Sequence, residues 1–431
     1  MTVSRRTFVE ASSLALASLA IPRRAFAIGR HTADPIRIGV IGCGGRGSGA
    51  ARDAVRASDN VQITALGDLF PDRLASARAS FAKTVTEDAR FAAAYKVTGD
   101  RCFTGFDAFT QVLATDCDLV ILATPPGFRS EHLTAAVNAG KHIFTEKPVA
   151  VDVKTALAAI AAADMAKTKG LAIVAGTQRR HDPRYVETIR RIHDGAIGDV
   201  IGGQVYWNQG GLWSHKRKPE WSDTEFQLRN WLYYAWASGD HIVEQHVHNI
   251  DVANWVMGGH PLRAVAMGGR QTRTDPLYGH GFDHFAVDFE YSEGRHILSM
   301  CRQQDGTASN VGEAFQGTLG RSNAYDTIEG RKAWKHARLE GMNPYVEEHR
   351  NLVASIRAGK PLNEGRQVVE SNLTAILGRE AAYTGQSISW DDLMKSNLSI
   401  LPATFALGPL DTPAVPTPGE TTLQRTFSEG W

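Results

Sequence analysis

The sequence predicts an α/β domain with a parallel sheet, followed by an α+β domain whose sheet is largely antiparallel and covered by helices. Three observations lead there. Apolar runs of strand length alternate with helical segments from Ile36 to about Gly176, the order that parallel strands joined by helices require. The first run, Ile36 to Ile41, passes directly into Gly42-Cys43-Gly44-Gly45-Arg46-Gly47, a strand–glycine loop–helix junction. The second half then changes period, with alternating runs at 285–291 and 296–301 set among helical segments near 184–193, 241–256, 345–358 and 368–384.

Taken in order, the glycine loop fits G-x-G-x-x-G. Its first glycine permits the turn, its second admits a pyrophosphate to the backbone, and its third lets helix pack on strand. The helix that follows, about 45–57, offers free N–H groups to that pyrophosphate. The next run, Val61 to Leu66, ends in Gly67-Asp68. An acidic residue there suits the ribose hydroxyls of NAD and repels the 2′-phosphate of NADP. These features predict a Rossmann domain that binds NAD. Phe70-Pro71-Asp72 opens a second helix, with proline in its first turn. The run Cys117–Thr124 ends at Pro125-Pro126, where a crevice loop is expected. A helix over 133–139 and a strand over 141–144 lead to Thr145-Glu146-Lys147-Pro148. A helix over 152–169 and a strand over 171–175 complete a six-stranded parallel sheet. Gly42, Asp68, Thr124 and Lys147 all fall at strand ends and share the edge where such sheets bind ligands.

The chain has 431 residues, enough for two domains, with 43% hydrophobic and 22% charged residues. A net charge of +1 gives no reason to expect nucleic acid or an anionic membrane as partner. No apolar run after the first 30 residues is long enough to span a bilayer. The four cysteines lack metal spacing, and neither a disulfide framework nor a metal site is expected from them. Ser4-Arg5-Arg6-Thr7-Phe8-Val9, the apolar stretch 11–21 and Ala25-Phe26-Ala27 match a twin-arginine export signal with its cleavage site. The expected organisation is therefore a signal peptide over 1–27, an NAD-binding domain over 28–177 and a substrate domain over 178–400. A proline- and threonine-rich arm over 401–431 would lie on the body or on a neighbouring subunit. Export implies a periplasmic location.

Two constellations in the second half bear chemistry. If 241–256 is one helix, His241, Glu244, His248 and Asp251 lie on one stripe. Such a stripe suits a solvated face as well as a catalytic one. Zinc is a third reading of His241, Glu244, His246 and His248, but His246 lies off the stripe, and no metal is expected. Five of the nine tryptophans lie between Trp207 and Trp236, with Asn208, Gln209, His215 and Lys216 among them. Aromatic faces rimmed by polar groups make a carbohydrate pocket, or else a buried cluster that braces a long loop. Asn208 and Trp231 are the substrate candidates there.

The glycine loop, Ala123-Thr124-Pro125, the His132 helix and Ala139-Gly140-Lys141-His142 through Glu146-Lys147-Pro148 resemble the glucose–fructose oxidoreductase/inositol dehydrogenase (Gfo/Idh/MocA) family. The resemblance implies a mainly antiparallel substrate domain, frequent homo-oligomers, and sugars, cyclitols or their derivatives as substrates. It implies cofactor contacts from Gly42, Cys43, Gly44, Gly45, Arg46, Gly47, Asp68, Thr124, His132, Glu146 and Lys147. Lys147 matches the family's lysine, which lowers the cost of an alkoxide beside the nicotinamide. Glu244 and His248 match its D-x-x-x-H pair, with glutamate for aspartate and His246 where glycine is usual. His248 would take the hydroxyl proton, and Glu244 would orient or tune its ring. Arg180 matches a substrate-side position, and Asp251, three residues beyond His248, is expected on the substrate side with it.

The function expected is oxidation of a CH–OH group of a sugar, cyclitol or glycoside by tightly held NAD, because an exported enzyme has no evident pool of free dinucleotide. The alternative is a redox-neutral NAD-dependent glycoside hydrolase or lyase working through a transient keto-sugar. A cofactor-stabilised binding protein is a third class, against which Lys147 and His248 together argue.

Overall fold

The computed structural model describes residues 34–337 and 339–427; the expected export signal lies outside them. Its first part runs β1 (Ile36–Ile41), α1 (Gly45–Ala57), β2 (Val61–Asp68), α2 (Pro71–Glu87), α3 (Ala89–Ala94), β3 (Cys102–Thr104), α4 (Ala108–Ala114), β4 (Leu119–Leu122), α5 (Pro126–Asn138), β5 (His142–Thr145), α6 (Val153–Thr168) and β6 (Ile173–Ala175). All pairings are parallel, in the order β3-β2-β1-β4-β5-β6. Helices cover both faces, so β1 and β4 are buried almost throughout and read as unbroken apolar runs. The strand order turns back at β1 and β4, which opens a crevice beyond their carboxyl ends. Helix α6 starts on a capping box: Thr155 N–H donates to the Asp152 carboxylate at 2.7 Å, and Asp152 N–H donates to the Thr155 hydroxyl at 3.2 Å. Helix α1 has no such cap, only Gly44, and its first-turn N–H groups stay available to a ligand.

The second part contains α7 (Pro183–His193), β7 (Val200–Gln209), α8 (Asp223–Arg229), α9 (Ala235–Ser238), α10 (His241–Glu244), α11 (Val247–Met257), β8 (Arg263–Gly269), β9 (His284–Tyr291), β10 (Arg295–Gln303), β11 (Asn310–Gly317), β12 (Gly320–Ser322), β13 (Thr327–Gly330), β14 (Trp334–Lys335), α12 (Pro344–Arg357), α13 (Gly365–Thr384), β15 (Ile388–Ser389) and α14 (Trp390–Lys395). Nine strands form one sheet, β14-β13-β12-β11-β7-β10-β9-β8-β15. Only β7 and β10 pair in parallel; the other pairings are antiparallel. Val205, Val287, Phe289, Ile297 and Phe315 bury one face under α11 and α13, while Val265, Met267 and Leu298 stand exposed on the other.

Three features bear on the sequence reading, and the first departs from it. The expected helix over 241–256 is two helices, parted at Gln245–His246. His246 N–H bonds to His241 C=O, five residues back, at 3.1 Å, and the buried His246 ring meets Ser299 Oγ on β10 at 2.7 Å. The wider turn that carries His246 inward breaks the register of the expected stripe. Helix α12 returns to the first domain, where Leu352 and Val353 join the cluster of Ile38 and Val40. The stretch from 401 to 427 lies along its own chain: Arg425 donates to the buried Glu380 carboxylate at 2.6 and 3.1 Å, and the carbonyls of Gly408 and Leu410 receive donors from Thr224 and Gln227.

Candidate active site

Gly42, Gly44, Gly45, Arg46, Asp68, Thr124 and His132 line a cleft of about 480 Å³, with Leu69, Phe70, Phe109 and Phe128 as apolar walls. The motif glycines divide the work. Gly42 has φ +93°, and a Cβ there would stand 2.6 Å from the Ala123–Thr124 backbone. A Cβ on Gly47 would stand 1.9 Å from the Gly42 carbonyl, so α1 rests directly on the turn. Gly44 and Gly45 instead face open space, room that a diphosphate would fill above the helix N-terminus. The Asp68 carboxylate accepts N–H groups of Cys43 at 2.7 Å and Phe70 at 3.0 Å. Burial raises its pKa while those donors lower it, and the carboxylate is fixed at the end of β2. His132 shares a 3.1 Å hydrogen bond between Nδ1 and Thr124 Oγ1 and stacks on Phe109 at 4.2 Å. Burial, with Arg129, brings it down to about 3, so the ring is neutral. An anion-ready helix end, a carboxylate for ribose and flat apolar walls fit NAD.

Four of the expected cofactor residues lie off that cleft. Cys43 is buried and contributes its N–H to Asp68, Gly47 supplies packing, and Glu146 is held by Arg46 behind the loop. Lys147, just beyond β5, belongs to a second polar centre. Its Nζ donates to Glu244 Oε1 at 3.0 Å and to the Glu244 carbonyl. The glutamate therefore pairs with the lysine, and not with the imidazole as its spacing had suggested. His248 packs on Trp207, with ring centroids 5.7 Å apart and planes 23° off parallel. Burial, then the charges of Lys147, Arg179 and Arg46, hold His248 well below the usual imidazole range. It is neutral at pH 7 and free to accept a proton.

The four substrate-side candidates do not gather in one place. Arg180 is engaged with Asp251: Nε–Oδ2 is 2.8 Å and Nη2–Oδ1 is 3.0 Å, and the guanidinium lies 4.7 Å over Trp255. Ser371 on α13 also donates to Asp251 at 2.7 Å, so this pair ties helices together. Asn208 sits opposite Arg302 and Asn310 in the sheet, and strand alternation turns it to the outer face. Trp231 lines the nucleotide cleft, not the surroundings of His248.

Trp207 packs on His248, Arg179 lies 5.9 Å from the Trp207 ring, and Gln209 meets Gln245, the residue after Glu244. Arg179 pairs with buried Glu313, which also accepts from Tyr185 Oη at 3.2 Å and Asn249 Nδ2 at 2.7 Å. Gln209 Nε2 donates to Gln245 Oε1 at 2.7 Å. The alternation around buried Val205 was the signal for Trp207 and Gln209; nothing in the pair Arg179-Arg180 marks which arginine turns inward. His241 Nδ1 lies 3.2 Å from both Asp240 Oδ1 and the Phe282 carbonyl, apart from His246. Among the described residues no three His, Cys, Asp or Glu side chains gather to hold a metal ion. No described helix is long and apolar enough to cross a membrane.

Residues 36–176 match the oxidoreductase family model with an NAD-binding Rossmann fold, and 185–320 match the Gfo/Idh/MocA C-terminal domain. Inositol 2-dehydrogenase 3 of Saccharopolyspora erythraea is 28% identical over 263 residues, 61% of this chain and 65% of that protein. The chain spans less than two thirds of several such curated relatives. An NADP-named scyllo-inositol 2-dehydrogenase of Bacillus subtilis is 26% identical over 360 residues, 78% of this chain and 90% of that protein. The crystal structure of scyllo-inositol dehydrogenase from Lactobacillus casei, with NAD(H) and scyllo-inositol bound, superposes with a TM-score of 0.62 at 19% identity, covering 83% of this chain and all of that one. With both domain models matched in sequence order and the dinucleotide cleft built as its glycines require, the chain belongs to the Gfo/Idh/MocA family of NAD-binding oxidoreductases.

Proposed function

We propose that this protein oxidises a secondary CH–OH group of a cyclitol, sugar or sugar derivative, with NAD as its cofactor. The observation that carries the reading is the meeting of Lys147, Glu244 and His248, a cation and a neutral imidazole in one buried centre beyond the carboxyl end of β5. Bound NAD supplies the hydride acceptor. Neutral His248 takes the hydroxyl proton, and Lys147 stabilises the negative charge that develops on the oxygen. Glu244 fixes the ammonium in place, and Trp207 holds the imidazole plane. Arg179, Gln209 and Gln245 offer polar groups to the remaining hydroxyls. The inositol dehydrogenases among the relatives support a cyclitol or closely similar polyol.

The sequence from Ser4 to Ala27 supports export by the twin-arginine route and a periplasmic location, with the mature chain starting near Ile28. The apolar outer sheet face of Val265, Met267 and Leu298 supports a homo-oligomer built across it. The test is a panel of inositols and aldoses with added NAD, followed at 340 nm, on wild type and the Lys147→Met and His248→Ala variants. Wild-type reduction of NAD by at least one polyol, lost in both variants, supports the reading. Full activity in both variants would refute the site. Cleavage of a glycoside without net NADH would replace oxidation by redox-neutral chemistry.

A further inference from the structure

The parallel-sheet domain does not close the nucleotide cleft by itself. Across from the glycine loop and Asp68 stand Trp213, His215, Leu228, Arg229 and Trp231, all from the long connection between β7 and α9. This is the tryptophan-rich segment that the sequence leaves open between a sugar pocket and a buried brace for a long loop. It lies against walls of Leu69, Phe70, Phe106 and Phe128, which suit a flat heteroaromatic base better than a polyol. Lys147, Glu244 and His248 are not among the residues lining the cleft.

The segment packs on Phe70 and Phe128 of the first domain through Phe226, Leu228 and Leu232, and an ion pair adds a polar tie. Arg229 grips Asp72, in the first turn of α2, through two parallel bonds: Nη1–Oδ2 at 2.9 Å and Nη2–Oδ1 at 3.0 Å. Its Nε donates to Glu225 at 2.8 Å, and its guanidinium lies 4.1 Å over Phe70 and 4.8 Å over Trp221. Such a planar fork holds a geometry that a lysine would not. The loop that carries Trp213 and His215 is braced from behind. Asn230 accepts the His215 N–H at 2.7 Å and donates to its carbonyl at 2.9 Å, while Tyr233 Oη lies 3.0 Å from the carbonyls of both Leu212 and Trp213. Those braces join residues of the substrate domain, whereas Arg229, itself lining the cleft, ties that domain to Asp72 of the first.

We infer that Trp213, His215, Arg229 and Trp231 form the second wall of the dinucleotide site, a clasp over its adenosine end that the Arg229–Asp72 pair keeps shut. This rests on the NAD-dependent reading above. The clasp makes release of the reduced dinucleotide the slow event of each turnover.

The experiment uses the full chain loaded with NADH and chased with excess NAD, with energy transfer from tryptophan to NADH as the readout. Wild type, Arg229→Ala and Asp72→Asn are compared; Asp72 is 62% exposed, and its amide variant leaves the fold's interior untouched. Both variants should release NADH at least tenfold faster, the double variant no faster than either alone. Rising salt should speed release from wild type and not from the variants, because it screens the pair. Unchanged rates and salt dependence in both variants, with NADH still bound, would overturn the clasp and leave the NAD reading standing. Failure of wild type to bind NADH would overturn both.

Discussion

Alanine at two glycines of one motif should have opposite consequences. At Gly47 a methyl carbon would stand 1.9 Å from the Gly42 carbonyl oxygen, where a relaxed C···O contact is about 3.3 Å. The neighbour is backbone at the tightest point of the turn and cannot swing away, so α1 must lift from β1 by about an ångström. Overpacking of this kind costs ~1–3 kcal/mol, a fall of several degrees in Tm. At Gly44 the methyl meets nothing within 4 Å, and its φ of −67° and ψ of −174° suit any residue. The fold should lose no more than about 1 kcal/mol, the cost of a poorer N-cap. The methyl does, however, occupy the space kept for a diphosphate. Thermal unfolding with and without NAD separates the two effects, since ligand at a hundred times its Kd stabilises by about 2.7 kcal/mol. Gly47→Ala should lower Tm in the absence of nucleotide. Gly44→Ala should lower Tm by less than Gly47→Ala does and lose the NAD-induced rise. An NAD response in Gly44→Ala equal to wild type, or an unaltered Tm in Gly47→Ala, would refute the division of roles.

Three further outcomes follow from the same geometry. Because His248 is held below the usual imidazole range by burial and by Lys147, Arg179 and Arg46, the acid limb of kcat/KM should fall below pH 6.5; a limb at or above 6.5 would contradict a neutral His248 as base. Burial brings His132, His246, His280 and His349 each down to about 3, so the unfolded chain takes up protons first. Their contribution is complete above pH 6.5 and is lost as pH falls toward the folded values, about 1.4 kcal/mol each by pH 5.5. Buried Glu313 and Glu348, raised mainly by desolvation, act in the opposite sense; Tm should still drop between pH 7 and 5.5, and a rise would reverse the account. Arg180→Ala strands Asp251, 1% exposed, and should cost ~3–5 kcal/mol in thermal unfolding with little change in KM, whereas Arg179→Gln should raise KM for the polyol.

The first domain was legible because each of its signals is local. β1, the glycine loop and Asp68 lie within one short stretch, and burial on both faces writes strands as plain apolar runs. β3 is only three residues long, too short to produce such a run. The second domain hid its site because the decisive facts are non-local. The break before His246 comes from a ring that must reach Ser299 on another strand. The inward turn of Arg179 depends on Glu313, and the engagement of Arg180 depends on Asp251 and α13. Asn208 was separable from Trp207 by period alone, but only with Val205 already known to be inside. Composition leaves the aromatic segment open between a sugar pocket and a buried cluster that braces a long loop. Its Trp213 and Trp231 line the cleft of the glycine loop, and Arg229 beside them pairs with Asp72 on the other domain.

The central claim is that the centre of Lys147 and His248 removes a proton and a hydride from one carbinol. Single-turnover reduction of NAD by a polyol deuterated at the reacting carbon tests it most directly. The account predicts deuterium on the nicotinamide, a slower rate than with the protiated polyol, and no turnover in Lys147→Met or His248→Ala. Unlabelled nicotinamide, or undiminished transfer in either variant, would contradict it.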